Sequence, residues 1–193
     1  LTFSKGGSPI IKTSSLKNLI IDACSFAAHG TNVVHEIDIS DNIWLVDIDE
    51  GQISQVVQNI VINATQAMPN GGKIRLKAEN YIHNSALRSD LHLTNGEYVK
   101  VTISDEGIGI PKEVMEKIFD PYFSTKESGQ GLGLATTYSI IKKHNGIITV
   151  ESEISKGSTF IFYLPRSNGS ITYSQPERPV LSGNSRILVI DDD

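Results

Sequence analysis

Apolar residues recur every three or four positions between residues 51 and 72, which predicts a helix that buries one face. The apolar positions on that face are Ile53, Val56, Val57, Ile60, Val61, Ala64 and Ala67. Asp49 is placed to cap the helix with Gln52 as its capping-box partner, and Pro69 begins the turn that ends it. The stretch has no charged residue, and its other face carries the amides Gln52, Gln55, Asn59, Asn63 and Gln66. Because water-facing helix surfaces usually carry Glu and Lys, this amide stripe is unusual.

The same kinds of pattern elsewhere predict an α+β chain. Amphipathic spacing predicts a helix from Leu16 to Gly30, another from about Leu132 to His144, and a short helix opened by Pro111. Alternation with a period of two residues predicts strands at residues 33–39, 43–48, 73–82, 97–104, 146–153 and 157–165. The last two strands are expected to form a closing hairpin.

The composition argues against nucleic-acid binding, a disulfide-linked fold and a membrane-spanning segment. The chain has 193 residues, a net charge of −5 and no basic block, which argues against nucleic acid as the main partner. Its single cysteine, Cys24, excludes a disulfide framework and suits a reducing compartment. No apolar run reaches membrane-spanning length and no signal peptide opens the sequence. We therefore expect a cytoplasmic fragment that makes no membrane contact itself, although its parent protein could be attached to a membrane.

Two glycine-containing loops are candidates for chemistry, and the first is SDEGIGIP. Asp105 stands at the end of a predicted strand, and Gly107 and Gly109 allow a tight turn that approaches a ligand closely. Taken alone, this motif favours an ordinary turn closed by an aspartate and two glycines.

The second loop is SGQGLGLAT, in which Gly129, Gly131 and Gly133 lead into the start of a helix. The N–H groups and the dipole at a helix N-terminus attract phosphate, but a flexible loop with a packed glycine explains the motif equally well. Neither loop is a P-loop, because no Gly-Lys-Ser/Thr follows the glycines. Neither fits the dinucleotide fingerprint, because no βαβ unit with a downstream carboxylate surrounds them.

Four segments taken together, in this order, resemble the motif boxes of one family. QNIVINATQAM with Asn59 and Asn63 resembles the N box, DEGIGIP the G1 box, IFDPYFSTK the F box and GQGLGLAT the G2 box. Over residues 14–165 the chain thus resembles the ATP-binding catalytic domain of sensor histidine kinases, within the GHKL ATPase superfamily. The resemblance implies a two-layer α/β sandwich: a mixed sheet of about five strands, three helices on one face, and an ATP lid at residues 123–130.

The resemblance implies roles for the amide stripe and for the first glycine loop. Asn63 matches the residue whose side-chain oxygen holds a Mg²⁺ ion that bridges the phosphates of ATP, and Asn59 would reach the phosphate side one turn earlier. Asp105 matches the aspartate that accepts a hydrogen bond from the amino group of adenine. Gly107 and Gly109 would leave space for the base and its bridging waters.

The second glycine loop would contact the phosphates. Lys126 is expected to pair with the terminal phosphate, and an ordinary solvated lysine is the alternative. Gly129, Gly131 and Gly133, with Leu132 between them, would give the lid its hinge and the phosphates their N–H donors.

Other residues receive supporting roles from the resemblance. Thr159 in GSTF matches a threonine near the waters that bridge the base. Phe119, Tyr122 and Phe123 are expected to anchor the lid by packing. His144 is expected to make a favourable contact with the dipole at the end of its helix.

Two departures from the superfamily pattern shape the expected activity. Members that hydrolyse ATP carry a Glu that activates water where this chain has Asn59, which is no base at neutral pH. Phosphoryl transfer is therefore favoured over hydrolysis. Histidine kinases carry their phosphoacceptor on a preceding helical hairpin, whereas His35, followed by Glu36, lies in a predicted strand. We expect a protein histidine kinase domain that does not autophosphorylate alone. The alternatives are an anti-sigma-type serine kinase and a nucleotide-binding domain without transfer activity.

The two ends of the sequence predict neighbouring domains. Residues 1–13 resemble the end of a dimerisation hairpin with its connector, and residues 166–185 have the Ser-, Pro-, Gly- and Asn-rich composition of a linker. Residues 186–193, RILVIDDD, resemble the first strand of a receiver domain. The expected partners are therefore the phosphoacceptor hairpin and the receiver domain of the same parent protein. That parent is expected to be a hybrid histidine kinase that forms a homodimer.

Overall fold

The computed structural model describes residues 8–85, 93–125 and 130–169. The helices in these ranges are α1 (Leu16–Ala28), α2 (Glu50–Gln66), α3 (Lys112–Met115) and α4 (Gly133–Lys143). The strands are β1 (Lys12–Ser14), β2 (Val33–Ile39), β3 (Val46–Ile48), β4 (Gly72–His83), β5 (Gly96–Asp105), β6 (Ile147–Glu153) and β7 (Gly157–Pro165). No helix in the described ranges is both long enough and apolar enough to cross a membrane.

Five strands form one mixed sheet in the order β2–β4–β5–β7–β6. β2 and β4 run parallel, and the other neighbours in the sheet are antiparallel. β6 and β7 form the closing hairpin that the sequence predicts. The apolar faces of α1, α2 and α4 share one core with the inward-facing side chains of the sheet. The predicted α+β fold, with a mixed sheet and helices on one face, is confirmed.

Alternation along the strands decides which side chains face the helices. In β7, Phe160, Phe162 and Leu164 are buried in the core, and the residues between them lie on the outer face of the sheet. In β5, the same alternation carries the helix-covered face to its last residue, Asp105. A carboxylate therefore stands at the edge of an otherwise apolar layer, next to the end of α2.

The start of α2 is held by two side chains, Asp49 and His144. Asp49 Oδ1 accepts the N–H of Gln52 at 3.1 Å, as predicted for the helix cap. The reciprocal half of the predicted capping box is not formed, because the Asp49 N–H donates to His144 Nε2 at 3.0 Å instead. His144 is buried, and its Nδ1–H donates to the Ile140 carbonyl at 2.7 Å. His144 thus bridges α4 and α2, and its ring N–H makes a favourable contact at the end of α4, as predicted, by donating to a carbonyl of the last turn.

The folded unit extends slightly beyond both predicted boundaries. β1 pairs with β3, which is shorter than the strand predicted at residues 43–48, so part of the predicted connector belongs to the domain. At the other end, Arg166 forms a β-bridge with Val46, and the buried Ser167 donates to Asp47 Oδ1 at 2.7 Å. Thr13 donates to the same oxygen at 2.6 Å. The incoming and outgoing segments are therefore held together by β3. Residues 1–7 and the strand predicted at 186–193 lie outside the described residues.

Candidate functional site

A cavity of about 470 Å³ opens between α2, the end of β5 and the start of α4. Asn59, Asn63 and Gln66 line its α2 wall. The helical period thus directs the C-terminal three residues of the amide stripe into the cavity while the apolar stripe of the same helix fills the core, and Gln52 and Gln55 do not line the cavity. The other walls include the loop after β5 and both flanks of the predicted lid, at residues 123–125 and 130–134. The volume is that of a small-molecule site.

Asp105 lines this cavity at the point where β5 ends. The residue is only 7% exposed, and its Oδ1 accepts the backbone N–H groups of Gly107 at 2.8 Å and Ser158 at 3.3 Å. Both of these hydrogen bonds go to Oδ1, and no donor among the described residues contacts Oδ2. Burial raises the pKa of the Asp105 carboxyl, and the two N–H groups oppose that rise. The side chain is a fixed acceptor with one oxygen already held by the backbone.

The two glycines after Asp105 are explained by contacts within the protein. A side chain on Gly107 would meet the Ala67 side chain at 2.6 Å, and Gly107 does not line the cavity. Gly109 does line it, but its φ of +73° and the adjacent Glu153 carbonyl leave no room for a side chain. The loop is also pinned by the Ile108 N–H, which donates to the Ala67 carbonyl at 3.2 Å. Packing within the protein therefore already requires glycine at both positions, and their predicted role of leaving space for a base stays a prediction.

The two flanks of the predicted lid are joined at their base. The Tyr122 N–H donates to the Gly131 carbonyl at 3.0 Å, and a side chain on Gly131 would overlap the Tyr122 backbone. Gly131 has a φ of +66°, a conformation that favours glycine, and its hinge role stays a prediction. Phe119 and Phe123 pack against the core as predicted. Tyr122 is 67% exposed, and its backbone makes the contact that joins the flanks.

The start of α4 completes the wall. Gly131, Leu132 and Gly133 all line the cavity, and the N-cap position Leu132 makes no side-chain hydrogen bond to the first turn. The N–H groups of that turn therefore have no side-chain cap, which is the arrangement that favours an anionic ligand. Lys126 and Gly129, which the sequence assigns to phosphate contacts, lie outside the described residues.

Asn59 connects the α2 wall to α4. Its Nδ2 donates to the Gly133 carbonyl at 3.0 Å and to Thr137 Oγ1 at 3.4 Å. Because a carbonyl oxygen only accepts, this contact fixes which end of the Asn59 amide is nitrogen. Asn59 Oδ1 is the polar atom of the side chain that remains for the cavity.

Thr159 does not line the cavity, although the resemblance assigns it to the site. Its hydroxyl lies 2.9 Å from Ser104 Oγ, on the outer face of the sheet, because neighbouring residues of a strand point to opposite sides. Its neighbours Ser158 and Phe160 line the cavity instead. The prediction for Thr159 is therefore wrong by one residue, and Ser158 is the residue beside Asp105.

Comparison with known families identifies this arrangement. Residues 48–168 match the family described as histidine kinase-, DNA gyrase B-, and HSP90-like ATPase, and the match covers the cavity-lining elements and more than half of the chain. The chain belongs to this ATPase family.

Individual relatives of the ATPase domain are named as kinases. Sensor kinase CckA of Brucella abortus (strain 2308) is 38% identical over 179 residues, which cover 85% of this chain and 19% of CckA. Sporulation kinase E of Bacillus subtilis (strain 168) is 37% identical over 145 residues, which cover 75% of this chain and 18% of that kinase. The chain thus spans about a fifth of the length of these two relatives.

A solved structure agrees with the resemblance to histidine kinase catalytic domains. The catalytic domain of histidine kinase ThkA superposes with a TM-score of 0.66 at 30% identity, over 81% of this chain and 95% of that domain. Full-length ShkA in complex with AMPPNP has a TM-score of 0.68 over 84% of this chain and 32% of ShkA, at 22% identity, and shares the fold. The chain is therefore a nucleotide-binding domain of the histidine kinase type.

Three residues at or near the site of this ATPase domain, Ser158, Ser152 and Thr137, were not predicted from the sequence. Ser158 is detectable in principle, because strand alternation from Phe160 and Phe162 places it on the core face. Ser152 and Thr137 carry no such signal, since their hydroxyls become important only through partners on other elements.

Proposed function

We propose that this chain binds Mg-ATP in the cavity and transfers the terminal phosphoryl group to a histidine on a dimerisation hairpin outside the chain, within two-component signal transduction. The observation that supports this most strongly is the carboxylate of Asp105. It lines a cavity of nucleotide-compatible size, with Oδ1 bound to two backbone N–H groups and no donor among the described residues on Oδ2.

Asp105 would recognise the adenine base. The amino group of adenine is a hydrogen-bond donor, whereas the corresponding group of guanine is an acceptor. Because the ionised carboxylate has acceptors only, it favours the 6-amino purine and repels the 6-oxo purine. The bound backbone N–H groups of Gly107 and Ser158 hold the acceptor in one orientation, so the base meets a preorganised partner.

The phosphates would lie toward the start of α4. Gly131, Leu132 and Gly133 offer backbone N–H groups at a helix end without a side-chain cap, and the helix dipole favours negative charge there. Lys126 and Gly129 would complete the phosphate contacts from the lid.

Asn63 would provide the protein ligand for magnesium. It lines the cavity one helical turn after Asn59, and amide oxygens are suitable ligands for this hard cation. The described ranges contain no group of three or more His, Cys, Asp or Glu side chains that could hold a metal ion alone. A single amide oxygen from Asn63 fits a cation that takes most of its ligands from phosphate and water, as Mg²⁺ does. When bound, magnesium would neutralise charge on the phosphates during transfer.

Asn59 would support transfer instead of hydrolysis. The side chain has no basic group to activate water, and its Nδ2 is engaged with Gly133 and Thr137. Its remaining oxygen faces the phosphate side of the proposed nucleotide. Without a water-activating base from Asn59, the acceptor has to be supplied by the partner that docks on the domain.

The surrounding architecture follows from the same proposal. The phosphoacceptor hairpin would precede β1, and a receiver domain beginning near residue 186 would follow a linker that starts beyond Ser167. The parent protein would act as a homodimer, with this domain in the cytoplasm.

Calorimetric titration of the chain with ATP and GTP, each with magnesium, tests the base assignment. ATP is expected to bind and GTP to bind far more weakly. Asp105→Ala should weaken ATP binding by about ten- to a hundredfold, the effect of losing a hydrogen bond to a charged group. Equal affinities for the two nucleotides in the wild-type chain would remove Asp105 as the selecting residue.

A further inference from the structure

Two serines face each other across the β6–β7 hairpin next to Asp105. Ser152 and Ser158 are directly opposed in the ladder, and their Oγ atoms are 3.0 Å apart. Ser158 lines the cavity, is 6% exposed, and donates its backbone N–H to Asp105 Oδ1. Its hydroxyl therefore belongs to the same wall as the carboxylate that would receive the base.

The partners of Ser152 determine the direction of the hydrogen bond between the two hydroxyls. Ser152 Oγ lies 2.8 Å from the Gly157 carbonyl and 2.8 Å from the N–H of Ile110. A carbonyl only accepts, so the single Ser152 proton goes to Gly157, and the Ile110 N–H occupies one lone pair of Ser152. Ser152 has one lone pair left, so Ser158 must donate its proton to Ser152. Ser158 then presents only lone pairs to the cavity.

We propose that Ser152 is a positioning residue for base selectivity: by holding the Ser158 proton, it makes the cavity wall beside Asp105 accept hydrogen bonds only. This inference rests on the proposed binding of ATP with its base at Asp105. A 6-amino purine supplies two N–H donors to such a wall. A 6-oxo purine supplies an oxygen that meets Asp105 and the lone pairs of Ser158. If its proton were not held, the Ser158 hydroxyl would rotate and donate to that oxygen.

The outer face of the same sheet provides a matched control. Ser104 and Thr159 form a hydroxyl pair 2.9 Å apart, and neither residue lines the cavity. Ser104→Ala therefore removes a comparable cross-strand contact near the same strand ends without changing the wall of the site.

The test compares three nucleotides that differ at purine position 6: ATP, inosine triphosphate and purine riboside triphosphate. Their affinities are measured by calorimetry at fixed magnesium for the wild type, Ser152→Ala, Ser158→Ala and Ser104→Ala. The wild type is expected to bind ATP most tightly and inosine triphosphate most weakly. Ser152→Ala frees the Ser158 proton and should raise inosine triphosphate affinity relative to purine riboside triphosphate by about five- to tenfold, the effect of one hydrogen bond. Ser104→Ala should leave the affinities for ATP and for inosine triphosphate, each relative to purine riboside triphosphate, within about twofold of the wild-type values, as expected for a substitution outside the site.

Ser158→Ala gives a second test that leaves the hydrogen bond between the Ile110 N–H and Ser152 Oγ in place. It removes the lone pairs beside Asp105 and should reduce the advantage of ATP over purine riboside triphosphate by about three- to tenfold. The inference is overturned if Ser152→Ala folds and its affinity for inosine triphosphate relative to purine riboside triphosphate equals that of the wild type. If Ser152→Ala does not fold, the inference is overturned when Ser158→Ala keeps the wild-type affinity for ATP relative to purine riboside triphosphate. A wild-type chain that binds none of the three nucleotides would instead overturn the proposed function itself.

Discussion

Asn59 donates its side-chain N–H to the Gly133 carbonyl across 3.0 Å, which ties the middle of α2 to the first turn of α4. One side chain thus belongs both to the amide stripe and to the hinge that follows the lid. The contact requires a donor at position 59, because the Gly133 carbonyl has no proton to offer. An amide meets this requirement without the basic group that would activate water.

Asn59→Asp is expected to destabilise the domain. The substitution replaces the donor with a carboxylate oxygen facing the Gly133 carbonyl, so a hydrogen bond becomes a repulsive contact. We expect a loss of about 1–3 kcal/mol in the free energy of unfolding, measured by urea denaturation. Gln55→Glu adds the same charge to an exposed position of the same helix and is expected to change stability by no more than about 0.5 kcal/mol. Equal effects of the two substitutions would mean that the Asn59 contact contributes nothing.

His144→Phe tests the bridge between α4 and α2. The substitution keeps a flat ring but leaves the Asp49 N–H without its acceptor and removes the donor to the Ile140 carbonyl. We expect a loss of about 1–3 kcal/mol for the unsatisfied groups in a buried position, again by urea denaturation. The control is His35→Phe at an exposed position of β2, where a change within about 0.5 kcal/mol is expected. A His144→Phe variant as stable as the wild type would contradict the bridging role.

The burial of Asp105 predicts opposite effects of pH on binding and on stability. Its pKa is raised on folding, so the folded state binds the proton more tightly, and ionisation of Asp105 reduces folding stability as pH rises through the raised pKa. The proposed contact with adenine would need the ionised form: because Oδ1 accepts two backbone N–H groups, a proton on the carboxyl would lie on Oδ2 and would meet the amino group, which is also a donor. ATP affinity is therefore expected to fall on acidification at a higher pH than for an ordinary aspartate.

The ratio of ATP to purine riboside triphosphate affinity isolates this effect when it is measured at acidic pH values at which both purine rings are still unprotonated. The two ligands carry the same phosphates, so titration of the phosphates cancels in the ratio. Asp105→Asn should make the ratio independent of pH. A ratio that does not change with pH in the wild type would show that Asp105 does not contact the amino group.

Asn63→Ala is expected to weaken binding of ATP with magnesium more than binding of ADP in the presence of a chelator. The side-chain oxygen is the proposed protein ligand of the cation, and its loss removes little from the base contacts. Asn63→Asp keeps an oxygen and adds a charge, so it separates loss of the ligand from a change in electrostatics. If titration of Asn63→Ala with magnesium matches that of the wild type, the cation is held elsewhere.

The sequence predicted the helices and the main sheet because each carries a periodic apolar face long enough to be recognised. The three-residue strand β1 was not predicted, because it forms by pairing with β3 and has no recognisable sequence pattern of its own. Within the site, the amide stripe and Asp105 were predicted, because one follows the helical period and the other ends a clear strand. Ser152 could not be predicted, because its role depends on the register that sets it opposite Ser158. Thr159 was assigned by resemblance alone, and strand alternation would have favoured Ser158.

Phosphoryl transfer to histidine is tested most directly with labelled ATP, magnesium and a separately produced dimerisation hairpin from the same parent protein. The chain alone is expected to remain unlabelled and to hydrolyse ATP slowly. The mixture should label the hairpin with a bond that is labile to acid and stable to alkali, as phosphohistidine is. Transfer should be inefficient, because separate fragments lack the effective concentration of a joined chain. Acid-stable label on a serine, or rapid ATP turnover by the chain alone that Asn63→Ala abolishes, would contradict a histidine kinase domain.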